Sequence, residues 1–205
     1  MKILRVLDRG LAAAAAAAGA VIRSGGLVIL PTETVYGIAL SASSAAARSR
    51  LCGIKGRDEG KPLARLIADP REVIGLVPRA WGKVLDFWPG PLTLVLNTPG
   101  EGGVGYRCPD HELAREVIRR AAVPVAATSA NRSGQLPAST AASAARIFAG
   151  EVDLVLDAGA APGGTASTVL DLTGVQPLIL RPGPLDAVEL AAGLGITPVV
   201  RQGRN

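Results

Sequence analysis

Residues 26–40, GLVILPTETVYGIAL, hold two short apolar runs, GLVILP (26–31) and VYGIAL (35–40), on either side of Thr32, Glu33 and Thr34. Each has the length and composition of a β-strand, and Pro31 ends the first. The same alternation of short apolar runs and helical periodicity extends in both directions. Strand-like runs recur at 62–68, 92–97, 104–107, 124–130, 152–157, 167–172 and 177–181, and helical patterns cover 9–23, 43–51, 70–76, 79–87, 110–121, 139–148 and 184–193. The clearest helix is 110–121, where Pro109 and Asp110 supply a start and Leu113, Val117, Ile118 and Ala121 share one face. This mixture points to an α/β fold with one large twisted mixed sheet flanked by helices. With 205 residues, 48% of them hydrophobic, the chain is expected to form a single domain over 1–205, its core at 8–184 and a C-terminal helix and tail at 185–205.

Composition excludes several classes. No uncharged apolar stretch reaches the roughly 18 residues that span a bilayer. The N-terminus carries Arg5, Asp8 and Arg9 ahead of its alanine run, unlike a secretory signal, so a cytoplasmic protein with no membrane contact is expected. Cys52 and Cys108 are far apart and lack a neighbouring His or second Cys, which speaks against redox or zinc chemistry and leaves no protein cluster for a metal. His111, the only histidine, precedes a helix and is expected at the surface or as a cap.

The net charge of +5 is concentrated in one place. Between Arg48 and Arg65, around CGIKGRDEGKPLARL (52–66), six cations face only Asp58 and Glu59. Two of the four lysines, Lys55 and Lys61, lie here, a sign that ammonium groups are needed. Neither a GxxxxGK[ST] loop nor a dinucleotide fingerprint is present.

Three further stretches offer polar groups at strand ends. Thr32 and Thr34 could bind a small polar ligand or simply bond their own turn. VAATSANRSGQLPAST (125–140) places Thr128, Ser129, Asn131, Ser133 and Ser139 before a helix opened by Ser139 or Thr140, suiting either a phosphate or a cap. Arg107, at the end of VGYR, could fork onto a carboxylate or form a surface ion pair. Ser167 and Arg181 stand at a strand start and a strand end.

The ordered set PTETVYG, KGRDEGKPL, WPGPLTLVL, YRCPDH, TSANRSG, STVLDL and LRPG resembles the YrdC family across about residues 18–184, and the chain looks like its short single-domain form. The resemblance implies a YrdC-like fold and an L-threonylcarbamoyladenylate synthase: L-threonine and bicarbonate or CO2 form N-carboxythreonine, which attacks the α-phosphate of ATP, with Mg²⁺, and releases pyrophosphate. The product would serve threonylcarbamoyladenosine modification of tRNA through a separate transferase complex. It further implies that Lys55 and Arg57 are catalytic by electrostatics, that Arg57, Lys61, Asn131, Ser139 and Arg181 bind ATP, and that Thr34, Arg107, Ser129 and Ser167 bind threonine, with Thr32 and Tyr36 as second members of that wall. Two departures stand out: Asp58 where relatives commonly have Pro, and Leu66 where many have His. Two other readings stay open, a double-stranded RNA-binding module with direct tRNA contact and carbamoyl transfer from carbamoyl phosphate.

Overall fold

The computed structural model describes residues 1–201. In chain order its elements begin β1 (Lys2–Arg5), α1 (Val6–Arg9), α2 (Leu11–Arg23), β2 (Val28–Leu30), β3 (Gly37–Ser41), α3 (Ala45–Lys55), β4 (Ala64–Leu66), β5 (Leu92–Thr98) and β6 (Gly102–Arg107). They continue α4 (Glu112–Ala121), β7 (Val125–Ser129), α5 (Ala141–Ile147), β8 (Leu154–Asp157), β9 (Thr168–Asp171), β10 (Leu178–Arg181), α6 (Ala187–Leu194) and β11 (Val199–Val200). The strands form one mixed sheet in the order β1-β8-β2-β3-β7-β4-β6-β5-β9-β10-β11. β8 runs parallel to both β1 and β2, whereas β3 runs antiparallel to both β2 and β7.

β2 is apolar at every position because it is buried on both faces. Val28 and Leu30 pack with Ala14, Ala18 and Ile22 of α2 and Leu113 and Val117 of α4. Leu27 and Ile29 pack on the other face with Leu51 of α3 and Ala141 and Ala144 of α5. A strand covered on one face only would alternate polar and apolar residues, and the run at 26–31 does not.

The far half of the sheet is different. Leu92, Leu94 and Leu96 of β5, Leu170 of β9 and Ile179 of β10 face Val84, Leu190 and Leu194 on one side. Their alternates Thr93, Val95 and Val169 line a cavity on the other side, where, among the described residues, no helix covers the sheet. This uncovered half-face positions the functional site.

Several expected elements shift for local reasons. The helix at 9–23 is interrupted at Gly10, whose φ of +78° is accessible to glycine, leaving α1 and α2. The patterns at 70–76 and 79–87 become 3-10 turns, Pro70–Val73 and Arg79–Phe87, the second broken at Trp81 by a non-helical φ of −120°. α3 runs four residues beyond 51 and ends at Gly56 in the left-handed region, so Lys55 sits on the last helical turn rather than in the glycine turn. β1 carries no apolar run in the sequence, because only Leu4 of its four residues is buried. Among the described residues no helix is long and apolar enough to cross a membrane. Arg201 donates its backbone amide to Ile179, while Arg204 lies outside the described residues.

Candidate functional site

The cavity measures about 280 Å³. Its floor consists of alternate strand residues that are small: Gly37, Ala64, Thr93, Gly105 and Ala127. A Cβ on Gly105 would sit 3.5 Å from Thr93 Cγ2 and 3.7 Å from Ala64 Cα, ordinary contact distances. Packing does not demand glycine there; the missing side chain leaves the floor low.

One wall is a directed hydrogen-bond chain. Arg107, 9% exposed at the end of β6, donates from Nη2 to Thr34 Oγ1 at 2.6 Å and to Glu33 Oε1 at 2.9 Å. Thr32 Oγ1 donates to the Val35 carbonyl at 2.6 Å, which uses its only hydrogen. The 2.9 Å contact between the two threonine hydroxyls therefore runs from Thr34 to Thr32. Thr32 also accepts from the backbone amides of Thr34 and Val35, so the turn reading of PTET holds for Thr32 itself. Across the cavity, Ser167 Oγ pairs with Thr93 Oγ1 at 2.8 Å. Arg181 donates to the Ser167 carbonyl from Nη2 and Nε at 2.8 and 3.2 Å, and to Ser167 Oγ at 3.3 Å.

The cationic side is more tightly built than the sequence suggests. Lys55 Nζ is buried and donates to the backbone carbonyls of Ser129 and Asn131, at 2.5 and 2.6 Å. Burial first, then the Arg57 charge, pull its ammonium down to about 8. Arg57 donates to Thr128 Oγ1 at 3.2 Å and to the Pro62 carbonyl at 2.8 Å, with its Nε buried and unpartnered. Arg48 holds the loop between them through the carbonyls of Glu59 and Lys61, and the Lys61 side chain is exposed. Asp58, the first departure, closes an Asx turn onto the Gly60 amide and faces solvent. Leu66, the second, is buried and forms part of the cavity lining.

The structure thus brings Thr32, Ser129, Arg107, Ser167 and Arg181 to the cavity itself, with Thr34 bonded to Arg107, and Arg57 and Lys55 reaching its rim and its back. Asn131 is nearby but occupied: its Oδ1 accepts from Ser129 Oγ at 2.5 Å and its Nδ2 donates to the carbonyls of Arg132 and Gln135. Ser139 is exposed and is not the helix cap; Thr140 is, accepting from the Ser143 amide.

Two expectations need correction. Tyr36 is not part of the wall, because strand alternation sends Gly37 to the cavity and Tyr36 into the core of the opposite face, where its hydroxyl donates to the Gly159 carbonyl at 2.6 Å. His111 is half-buried and makes no side-chain cap, and its Nδ1 is buried without a partner. Cys108 and Cys52 are buried, and burial pushes the Cys108 thiol up to about 11.

Residues that the sequence did not single out are Glu33, Thr93, Arg132 and the cavity-lining glycines Gly103 and Gly105. Arg132 staples the loop by donating to the carbonyls of Ile54 and Ile147 and to Glu151, beneath the ring of Phe148. The glycines were visible in GGVGYR, whose alternate small residues mark a strand face kept free of side chains.

A half-covered mixed sheet, with a guanidinium–hydroxyl wall facing a cluster of cations across a small cavity, defines an α/β domain built to hold small anionic molecules. The family described as Telomere recombination, Sua5_yciO_yrdC, matches residues 20–183, and the chain belongs to that family. It is 40% identical over 195 residues to the threonylcarbamoyl-AMP synthase of Pyrococcus abyssi (strain GE5 / Orsay), covering 87% of this chain and 57% of that one. It is 36% identical over 167 residues to the threonylcarbamoyl-AMP synthase of Thiobacillus denitrificans (strain ATCC 25259 / T1), covering 75% and 88%. The crystal structure of P. abyssi Sua5 complexed with L-threonine superposes with a TM-score of 0.88 at 35% identity, covering 98% of this chain and 63% of that one. The chain therefore spans less than two thirds of the P. abyssi protein. The expected family and the large mixed sheet are both borne out.

Proposed function

We propose that this chain is an L-threonylcarbamoyladenylate synthase. The observation that carries the reading is the placement of the Arg107–Thr34 wall and the Lys55–Arg57 group around one cavity in a fold shared with the threonine complex named above. The reaction needs two anions, a carboxylated amino acid and a polyphosphate, to approach each other. A site with cations on both sides lowers the cost of that approach.

Arg107 would hold the threonine carboxylate, and Thr34, Ser129 and Ser167 would complete its pocket, with Thr32 acting through Thr34. The threonine amine attacks the carbon of CO2, its displaced proton passing to water. An oxygen of the new carboxylate then attacks the α-phosphorus of ATP, and the bond to the β-phosphate oxygen breaks to release pyrophosphate. Arg57, Lys61 and Arg181 would neutralise the phosphates. Lys55 would act through the loop it holds, and Asn131 through its grip on Ser129. Ser139 would meet nucleotide only at the exposed rim.

Among the described residues, no group of three His, Cys, Asp or Glu side chains is placed to hold a metal ion. A Mg²⁺ ion would enter on the phosphates of ATP as part of that substrate. Release of the adenylate to a separate transferase acting on tRNA follows from the same reading.

The test is pyrophosphate release from purified protein with ATP, Mg²⁺ and bicarbonate, with and without L-threonine, beside Arg57→Ala and Arg107→Ala. Release that needs both threonine and bicarbonate and collapses in both variants supports the function. Threonine-independent release by folded protein would sink it.

A further inference from the structure

Three guanidinium groups meet at this cavity. Arg107 and Arg181 line it, and Arg57 reaches its rim through Thr128. Like charges so close must be held in place, since each gains by turning away into solvent. Among the described residues, Glu33 is the only carboxylate in an ion pair with any of the three, through Arg107 at 2.9 Å. The pair is shielded, the two side chains being 10% and 16% exposed.

The donors on Arg107 are divided unequally. Both hydrogens of Nη2 are committed, one to Glu33 Oε1 and one to Thr34 Oγ1. Nε is buried without a partner. Of the donors on this cavity-lining residue, those on Nη1 are left to meet an incoming carboxylate. Which edge of the guanidinium is offered is thus decided by the two groups that occupy Nη2. The Glu33 carboxylate is held through Oε1 alone, its Oε2 being buried without a partner, but the backbone beneath it is closely packed: a Cβ on Gly163 would lie 2.8 Å from the Glu33 carbonyl oxygen and 3.0 Å from Thr34 Cα. The backbone of 163 therefore presses on the turn that carries both groups.

We propose that Glu33 is the positioning residue of the amino-acid site: it fixes the Arg107 guanidinium so that Nη1 faces the substrate carboxylate, without touching the substrate itself. This role rests on the proposed threonine chemistry. It separates two neighbours that sequence alone treats alike, since Thr34 would both hold Arg107 and meet the ligand, whereas Glu33 would act only through Arg107. Without Glu33 the guanidinium keeps one anchor, Thr34, against repulsion from Arg57 and Arg181. Its Nη1 edge then samples several directions, and capture of a carboxylate weakens.

The experiment is calorimetric titration of L-threonine and of L-threoninol, whose carboxylate is replaced by a hydroxymethyl group, into wild type, Glu33→Gln and Glu33→Ala, with ATP binding measured in parallel. Glu33→Ala should weaken threonine about tenfold or more, and Glu33→Gln, which keeps an acceptor for Nη2, should stay within about threefold of wild type. Threoninol and ATP should bind all three proteins alike, which a general packing defect would not allow. Glu33→Asp, one methylene shorter, keeps the charge but withdraws the acceptor; it should show the same loss of about tenfold or more and stands in for Glu33→Ala where that protein does not fold. Threonine binding to Glu33→Ala that is unchanged or tighter overturns the role, as does an equal loss for threoninol. Wild-type protein that takes up ATP but no threonine would overturn the function and this role together.

Discussion

Arg107 donates to Thr34 Oγ1 at 2.6 Å, at the head of a chain whose direction is set at its far end, where the Thr32 hydroxyl donates to the Val35 carbonyl. Thr34 must pass its own hydrogen to Thr32, which passes its hydrogen to the Val35 carbonyl. Towards a ligand, Thr34 therefore offers a lone pair and no hydrogen, so it suits the hydroxyl or amine of an amino acid and not its carboxylate. Replacing Thr34 by Val should leave an Nη2 hydrogen of Arg107 unpaired in a buried site, costing about 1–3 kcal/mol of stability. Threonine KM should rise by about tenfold or more, while ATP KM holds. Thr34→Ser, which keeps the oxygen, should recover most of both in steady-state assays and urea unfolding.

Lys55 gives a pH signature in which activity and stability move in opposite directions. Its ammonium, held at about 8 by burial and Arg57, would titrate near 10.4 in the unfolded chain. Between these values the unfolded state binds more protons, so stability should rise with pH across that window. Turnover should fall over the same range, because a neutral amine grips the Ser129 and Asn131 carbonyls of the site loop less strongly than an ammonium does. Lys55→Met should flatten the stability rise and remove the limb near pH 8 from a greatly reduced activity. Parallel loss of activity and stability above pH 8 in wild type would refute this account.

What the sequence made legible, and what it hid, divides by the range of the interaction. GLVILP and LTLVLN read as strands because burial on a sheet leaves a local apolar run. Arg107 and Ser167 stand out as polar groups at strand ends for the same reason. The ion pair of Glu33 and Arg107, and the bonds from Lys55 to Ser129 and Asn131, join residues more than 70 positions apart, so no local pattern announces them. The face that Tyr36 occupies is hidden as well, because the turn at Thr32–Val35 sets the phase of the next strand, and a shift of one residue exchanges the two faces.

Gly105 tests whether the low floor exists for the ligand. Space around its Cβ position is ordinary, the nearest atom lying at 3.5 Å, and Val is at home in a strand. Gly105→Val should therefore change stability by no more than about 1 kcal/mol, while its methyl groups occupy the cavity. Pyrophosphate release should drop by at least about 100-fold, and the thermal shift produced by threonine should vanish. A folded Gly105→Val protein with wild-type turnover would show that substrate lies elsewhere.

His111 carries the last prediction. It occupies the N-cap position of α4 without a side-chain cap bond. Its pKa is lowered, by burial first, with Arg115 adding to the effect and Glu33, Asp110 and Glu112 opposing it. The folded protein therefore resists protonation of this ring. As pH falls below the unfolded value of about 6.5, the unfolded chain takes up the proton first and stability is lost, a loss complete once pH passes the folded value. Substituting Ser supplies a hydroxyl for the free amides of the first turn and removes the titrating ring. His111→Ser should gain roughly 0.5–1 kcal/mol at pH 7.5 and lose less than wild type between pH 7.5 and 5.5, as read by urea unfolding. Equal slopes for the two proteins would mean that the buried Nδ1 accepts a proton without penalty, and that burial of the ring is not what holds it neutral.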